Sequence, residues 1–424
     1  MEQPRLFHGE HLAPRLRYHS LFSYLPTMTY SYSFGRPCVD PNPMLRALIY
    51  RCLRRLSTLS DLVYSLRENP SLFESLGFDL FAPVPSIERF SVWLRSTPNE
   101  TLQDLRLSLV RSLIDRGAIK GATISLDSCP VPSPVRENNL KTSVRDRFNK
   151  DLYPRCDPDA RLGAYRVYPG SGSQKIRYFW GYRNHVAVDF ETELPLWEHT
   201  YPANHHESRV AIELLESCRN RLQLPVQVVC ADSAYDSEKI LVFILQQLHA
   251  EPIVAPNERF QPKPDFHVQS DVVLCPANLI MVYKGRMTPK KTGITYRQYS
   301  CPLHYSKAMR QRFLLCPANH PKFLIQKGCN YLRRETPSCR SQIPYGSAQF
   351  TESYKKRTSV ERVFSRLLSL AMQRPTIHGL QAIRNCCTLA HITVLLVALA
   401  AHAEGHADKL AFVRSFVPNF MSEA

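Results

Sequence analysis

The 424 residues are long enough for roughly two or three domains. A composition of 44% hydrophobic and 21% charged residues with 15 Gly excludes disordered, collagen-like and low-complexity chains. Lys and Arg number 54 against 37 Asp and Glu, a formal net charge of +17, so the chain is strongly basic.

Residues 1–29 read as an N-terminal arm. Met1 to Arg17 holds charges and two His but no apolar run of signal-peptide length, so the expected place is the cytoplasm, in association with the nucleoid. Residues 30–119 read as an all-helical, DNA-binding domain. Between Met44 and Leu56, the residues Leu45, Ala47, Leu48, Ile49, Leu53 and Leu56 recur near a 3.6 period, and two further amphipathic stretches follow. Pro70, Pro83, Pro85 and Pro98 punctuate them. Scattered Arg on these helices either solvate a surface or meet DNA.

From residue 120 to 256 the period becomes that of an α/β core. Ala122 to Leu126, His185 to Phe190 and Leu194 to Thr200 are β-rich, and Ser208 to Leu222 is helical. Val226 to Ala231 suits a strand buried on both faces, Ser237 to Leu248 an amphipathic helix, and Pro252 to Ala255 another strand. The expected order is βββαβαβ.

Residues 257–350 lose this regularity and read as an insertion rich in Pro, Cys, Tyr and cations. Met281 to Arg374 holds 19 Lys and Arg against three acids, Glu335, Glu352 and Glu361. Eight aromatics, from Tyr283 to Tyr345, interleave with that charge, a mixture suited to phosphates and bases. Residues 351–402 return to the core: a helix from Ser353 through Leu370 carries an apolar stripe, and Leu380 to Leu399 is a buried helix. Cys386 to Ala401 is shorter than the roughly 20 residues that a membrane-spanning helix needs, and contains His391. Residues 403–424 form a C-terminal tail.

Three acids carry the chemistry. Asp127 closes Ile124-Ser125-Leu126-Asp127 and Asp232 closes Val228-Val229-Cys230-Ala231-Asp232, each at the C-terminal end of a strand, where α/β sheets bind ligands. Neighbouring carboxylates repel unless a cation lies between them, which implies a divalent metal. Glu361 stands alone among Lys355, Lys356, Arg357, Arg362 and Arg366 as the third acid. A surface ion pair with Arg357 is its bland reading. Asp236 reads as a helix N-cap or first-turn acid, and Glu207 and Asp189 are weaker substitutes for a triad member.

Tyr354, Arg357 and Glu361 fall at i, i+3 and i+7, one face of a continuous helix. Here the chain resembles the DDE transposases of bacterial insertion sequences, in the group marked by Tyr-x2-Arg-x3-Glu-x6-Lys. Leu368 stands at the Lys position, with Arg366 or Arg374 the cations to replace it. Asp232-Ser233-Ala234-Tyr235 resembles the group's second acid motif, and Asp127 fits the first. Gly35-Arg36-Pro37 before an apolar helix and Tyr201-Pro202-Ala203-Asn204 before another extend the likeness over roughly residues 30–400.

The resemblance implies a ribonuclease-H-like core with an insertion before the Glu-bearing helix. It implies catalysis and metal binding by Asp127, Asp232 and Glu361, with two Mg²⁺ or Mn²⁺ ions about 4 Å apart cutting and joining phosphodiesters. Tyr354, Arg357, Arg366, Lys355 and Lys356 would bind DNA. The partners would be double-stranded element ends and target, handled by a homodimer or larger assembly. The alternatives are a ribonuclease-H-like nuclease that cuts without joining, and a catalytically retired, transposase-derived DNA-binding protein.

Thirteen Cys, an odd number, favour reduced thiols or metal ligands over a disulfide framework. Cys-Pro recurs at Cys275, Cys301 and Cys316, and Cys301-x2-His304 has ligand spacing. Cys275, Cys301, His304 and Cys316 can therefore be assembled into a structural zinc site.

Overall fold

The computed structural model describes residues 14–29, 40–139, 141, 149, 151–167, 175–257, 267–269, 272–290, 293–313, 315–320, 323, 325, 328–355, 357–373 and 375–413. The Gly35-Arg36-Pro37 motif, Lys356 and Arg374 lie outside them. Two compact units are present: Met1–Ala255 together with Gly346–Ala424, and Pro256–Tyr345.

The first unit opens with helices α1 (Pro14–Phe22), α2 (Pro41–Leu53), α3 (Leu59–Glu68), α4 (Pro70–Ser75), α5 (Ile87–Ser96) and α6 (Asn99–Asp115). Their starts are set by side chains that satisfy the free N–H groups of a first turn. Asp40 accepts from Asn42 N–H with Pro41 at the first position, Thr58 and Asp61 form a reciprocal capping box, and Asn69 and Ser86 cap α4 and α5.

The sheet follows: β1 (Thr123–Pro132), β2 (Arg161–Val167), β3 (Lys175–Asp189), β4 (Pro195–Pro202), then helix α7 (Glu207–Asn220), β5 (Val228–Ala231), α8 (Glu238–Val242) and β6 (Glu251–Val254). Its order is β2-β3-β1-β5-β6, with β4 also on β3. β1 runs antiparallel to β3 and parallel to β5, and β5 is parallel to β6. Four strands thus precede α7 where three were expected. The extra strand, β2, pairs with Lys175–Gly181 of β3 while β4 pairs with the second half. Much of that first half of β3 is solvent-exposed, so it lacks the apolar signature that reveals buried strands.

β1 also outruns its expected end at Leu126. Its parallel partner β5 stops at Ala231, opposite Leu126, and only β3 accompanies the remainder. Pro130 and Pro132 fit there because one side of the strand no longer needs donors. Ser237, rather than Asp236, caps α8, which widens into a π-helical turn over Phe243–Gln247.

The expected helix from Ser353 to Leu370 is two helices, α10 (Ala348–Lys355) and α11 (Thr358–Leu367), followed by a π-helical turn over Leu368–Met372. α11 packs on β1 and β3, and its buried Ser359 Oγ lies 3.1 Å from Ser125 Oγ of β1. The closing helix α12 (Leu380–Ala403) packs on β4, α2, α5 and α6. It is the one helix among the described residues long and apolar enough to cross a membrane, and its most apolar stretch is 89% buried inside the protein.

Polar groups join α6, α12 and the sheet through the core. Glu198 of β4 accepts from Asn184 Nδ2 at 2.7 Å, from Thr388 Oγ1 at 2.7 Å and from Gln103. Asn184 Oδ1 meets His391 Nε2 at 3.0 Å, and the fully buried Arg106 donates to Leu196 O at 2.6 Å beneath the Trp197 ring. Every member sits where an unpaired polar group would be costly, so the network fixes how the helices seat on the sheet.

The second unit is a separate small fold. Strands β7 (His267–Gln269) and β8 (Val272–Leu274) form a hairpin, and β9 (Val282–Met287), β10 (Tyr296–Ser300) and β11 (Asn330–Arg334) form an antiparallel sheet of order β11-β10-β9. Helix α9 (Lys307–Arg312) lies between the last two strands in sequence. Its core is compact: Cys275, Cys301, Cys316 and Cys329 are buried with Val273, Met281, Tyr299, Leu303 and Phe323.

Candidate catalytic site

Strand register brings the first two acids together. The parallel pairing of β1 and β5 ends at Leu126↔Ala231, so Asp127 and Asp232 are the next residues on adjacent strands, which lie about 4.8 Å apart. Asp127 is mid-strand in β1 rather than at its end, yet it occupies the C-terminal limit of the parallel pairing, the edge expected to bind ligands. Each carboxylate accepts one backbone N–H: Asp127 from Ser128 at 2.7 Å, and Asp232 from Ala234 at 2.8 Å at the start of a 3₁₀ turn.

Burial pushes the Asp127 carboxyl up to about 7, reinforced by the negative charge of Asp232, against the pull of the Ser128 N–H and Arg357. Burial likewise raises Asp232. Both also feel Glu207 at the start of α7, which is bound by Arg183 and accepts from Ser128 Oγ at 3.0 Å. Beneath them Tyr235 buries its hydroxyl with no partner.

The third acid is held at one remove. Arg357 falls in the joint between α10 and α11, where its guanidinium lies 2.6 Å from Glu361 and 3.5 Å from Asp127. One cation therefore bridges the first and third acids, and Glu361 stays half-exposed on the first turn of α11. Tyr354, stacked on Phe350, places its ring 5.8 Å from the same guanidinium. The helix break means that Tyr354, Arg357 and Glu361 do not share the face of one continuous helix, although Arg357 touches both others.

Lys355 is exposed beside Tyr354. Arg366 is tied to the turn after β3, pairing with the Glu193 carboxylate and donating to Glu193 O at 3.1 Å and Ala411 O at 3.3 Å. A phosphate contact from Arg366 would have to give up these bonds.

The donor set suits a hard divalent cation: two partly buried, mutually repelling carboxylates with a third nearby. Among the described residues no three His, Cys, Asp or Glu stand together as a ready metal shell. Arg357 supplies the positive charge that the acids require.

Sequence reading proposed the three acids and kept Glu207 in reserve; it did not single out Arg183, Ser128 and Tyr235, which the fold places around Asp127 and Asp232. The available signal was spacing: Ser128 follows Asp127 directly, and Tyr235 lies three residues after Asp232.

The chain matches a family model described as Transposase DDE domain over residues 155–396, more than half of its length, and another described as Transposase domain (DUF772) over residues 19–96. No curated protein matches it. Among solved structures, a piggyBac transposase synaptic complex with hairpin DNA is similar over 97% of this chain and 82% of that one, at 12% identity and a TM-score of 0.34, a likeness too distant to bear on the chemistry.

Proposed function

The chain belongs to the DDE transposase family, and from that premise we propose that Asp127, Asp232 and Glu361 form one phosphodiester-cutting and phosphodiester-joining site for the ends of a mobile DNA element. The observation that carries this reading is the adjacency of Asp127 and Asp232 across β1 and β5, with Arg357 linking Asp127 to Glu361. The sheet, antiparallel strands followed by parallel β5 and β6 with α7 between, supports a ribonuclease-H-like core. The interrupted Tyr-x2-Arg-x3-Glu segment supports membership of the group with that motif.

Asp127, Asp232 and Glu361 would hold Mg²⁺ or Mn²⁺. Such ions, when bound, lower the cost of developing charge on the attacking and leaving oxygens of an in-line displacement. The protein's part is positional. Backbone N–H groups of Ser128 and Ala234 fix Oδ1 of each aspartate, and Asp127 Oδ2 faces Arg357, the cation that a bound metal would displace or share. Ser359 pins α11 to β1 and so fixes the distance of Glu361 from the sheet.

Arg357 and Tyr354 face the scissile phosphate in this reading, the guanidinium by charge-assisted hydrogen bonds and the ring by stacking or phosphate contact. The exposed Lys355 extends the basic surface, and Lys356 adds a further cation next to it in sequence. In the second unit Arg286, Arg297 and Arg333 stand directly opposite one another across β9, β10 and β11, with Glu335 pairing the first two. Like charges in register destabilise a sheet, and a polyanion such as double-stranded DNA offsets them. Joining two ends to a target requires at least two copies of the site, hence a homodimer or larger, working on the nucleoid.

The test is incubation of the full chain with DNA carrying the ends that flank its gene, with Mg²⁺ or with chelator. Metal-dependent cut ends and end-to-target joined products are expected. Cut ends without joining would convert the reading to a nuclease, and tight binding with neither product would convert it to a retired, DNA-binding descendant.

A further inference from the structure

Helix α11 carries Glu361, yet little in its own backbone fixes where that acid points. It spans ten residues with no side-chain cap at its start, where the break at Arg357 separates it from α10. At its far end it passes into the π-helical turn Leu368–Met372, a change of winding that recurs at functional sites. A continuous helix inherits its rotation from its neighbouring turns, and this one is interrupted on both sides. The angle of α11 about its own axis is therefore set by what its side chains hold.

On the buried side Val360, Val363 and Leu367 pack inward and Ser359 meets Ser125. Apolar burial is non-directional and sets the seat of the helix more firmly than its angle. An adjacent side, with Arg362, Ser365 and Arg366 at i, i+3 and i+4, faces a cavity of about 870 Å³. Glu193, in the turn between β3 and β4, grips that side. Its Oε1 pairs with Arg362 and its Oε2 with Arg366, while Arg366 also donates to Glu193 O at 3.1 Å and to Ala411 O at 3.3 Å. The two arginines lie about one helical turn apart, so one carboxylate holding both fixes the rotation of the helix and its height together.

The turn that presents Glu193 is rigid and strained. Glu193 stands at φ +54°, in the left-handed region that a long side chain rarely adopts. Its N–H donates to Asp189 O at 3.0 Å, and the buried Asp189 carboxylate accepts from Thr192 N–H at 2.9 Å, Thr192 Oγ1 at 2.7 Å and Gly121 N–H at 3.1 Å. Asp189, a substitute triad member on sequence grounds, thus pins this turn to the segment before β1. Glycine would relieve the strain at position 193, whereas glutamate serves the two arginines.

We infer that Glu193 is a positioning residue for the third acid: it locks the rotation of α11 and so the placement of Glu361, and it withholds Arg362 and Arg366 from DNA phosphates. The inference rests on the reading that Glu361 is catalytic.

The experiment compares wild type, Glu193→Gln and Glu193→Gly in the full chain, by hydrogen exchange and by binding and joining of element-end DNA. Glutamine removes the charge and keeps the size, while glycine also relieves the turn and so cannot fail through backbone strain. Amides of residues 358–367 should exchange about tenfold faster in both variants, with those of β1 and α12 unchanged. At saturating DNA, joining should fall roughly ten- to a hundredfold, the scale of a misplaced catalytic group. DNA affinity should hold or tighten with a steeper salt dependence, because each arginine freed to a phosphate adds about 0.9 to the slope. Slower chemistry with binding no weaker is a signature that general unfolding does not produce. Wild-type exchange of residues 358–367 in both variants overturns the inference, and so does joining lost in proportion to DNA affinity. Loosened exchange with wild-type joining also overturns it when Glu361→Gln is inactive in the same assay. If Glu361→Gln itself joins like wild type, the assignment of Glu361 has failed and takes the inference with it.

Discussion

Asp127→Asn should abolish joining while making the metal-free protein more stable. Joined product is expected to fall at least roughly a thousandfold, because an amide cannot replace a carboxylate toward a divalent cation. Stability moves the other way. Asp127 is largely desolvated beside Asp232 and within the field of Glu207, and Ser128 N–H and Arg357 oppose the resulting penalty on its charge. Asn keeps the bond from Ser128 and removes that charge, so at pH 8 the variant should gain about 1–3 kcal/mol.

The pH dependence gives this a sign. An acid whose folded value lies near 7 and whose unfolded value is 3.8 binds its proton more tightly when folded. The wild type therefore loses stability relative to the variant as pH rises from about 4 to about 7, and the two converge below that window. The measurement is denaturant unfolding followed by tryptophan fluorescence. Trp93, Trp180 and Trp197, the three tryptophans of the chain, all lie in the first unit. A variant that is less stable than wild type at pH 8 would show that Asp127 is held by favourable contacts rather than strained for function.

Glu198→Ala should unfold the first unit's core for the opposite reason. Burial pushes the Glu198 carboxyl up, but the fields of His391 and Arg106 and the bond from Thr388 bring it below its ordinary value. It is thus a buried ion held by partners. Removing it takes the counter-charge from Arg106, which is fully buried, and one acceptor each from the amides of Asn184 and Gln103, at a cost of about 3–5 kcal/mol. Glu198→Gln, which retains an acceptor, should cost less than half of that. Because the folded value is lowered, the contribution of Glu198 is complete above its unfolded value of about 4.5 and is lost as pH falls through the folded one. Tryptophan-monitored unfolding at pH 7 of both variants checks the ranking, and an alanine variant within about 1 kcal/mol of wild type would contradict it.

The parts legible in sequence were those whose physics is local or periodic. Val228 to Ala231 is apolar throughout because consecutive residues, which point to opposite faces, are buried at Val229, Cys230 and Ala231, so Asp232 stood out as its terminus. The Leu380 to Leu399 stretch could be assigned to the core because His391 and Thr388 need partners that a lipid tail cannot offer, and they find Asn184 and Glu198. Illegible were features that depend on distant neighbours. β2 is specified only by its pairing with β3. The break falls at Arg357, the residue that meets Asp127 across about half of the chain's length. Cys329 lacks the following Pro that marked the other three cysteines, and only Gly328 packing against Cys301 and His304 brings it to them.

Glu361 is the acid on which the account depends most, since Asp127 and Asp232 are adjacent by register while Glu361 reaches them through Arg357. The most direct measurement is the yield of joined DNA across a Mg²⁺ titration for wild type, Glu361→Gln and the neighbouring control Glu352→Gln at equal protein concentration. Joining should fall at least roughly a thousandfold in Glu361→Gln at every Mg²⁺ concentration and stay near wild type in Glu352→Gln. Full joining by Glu361→Gln would show that the chemistry does not use this acid and would contradict the site as assigned.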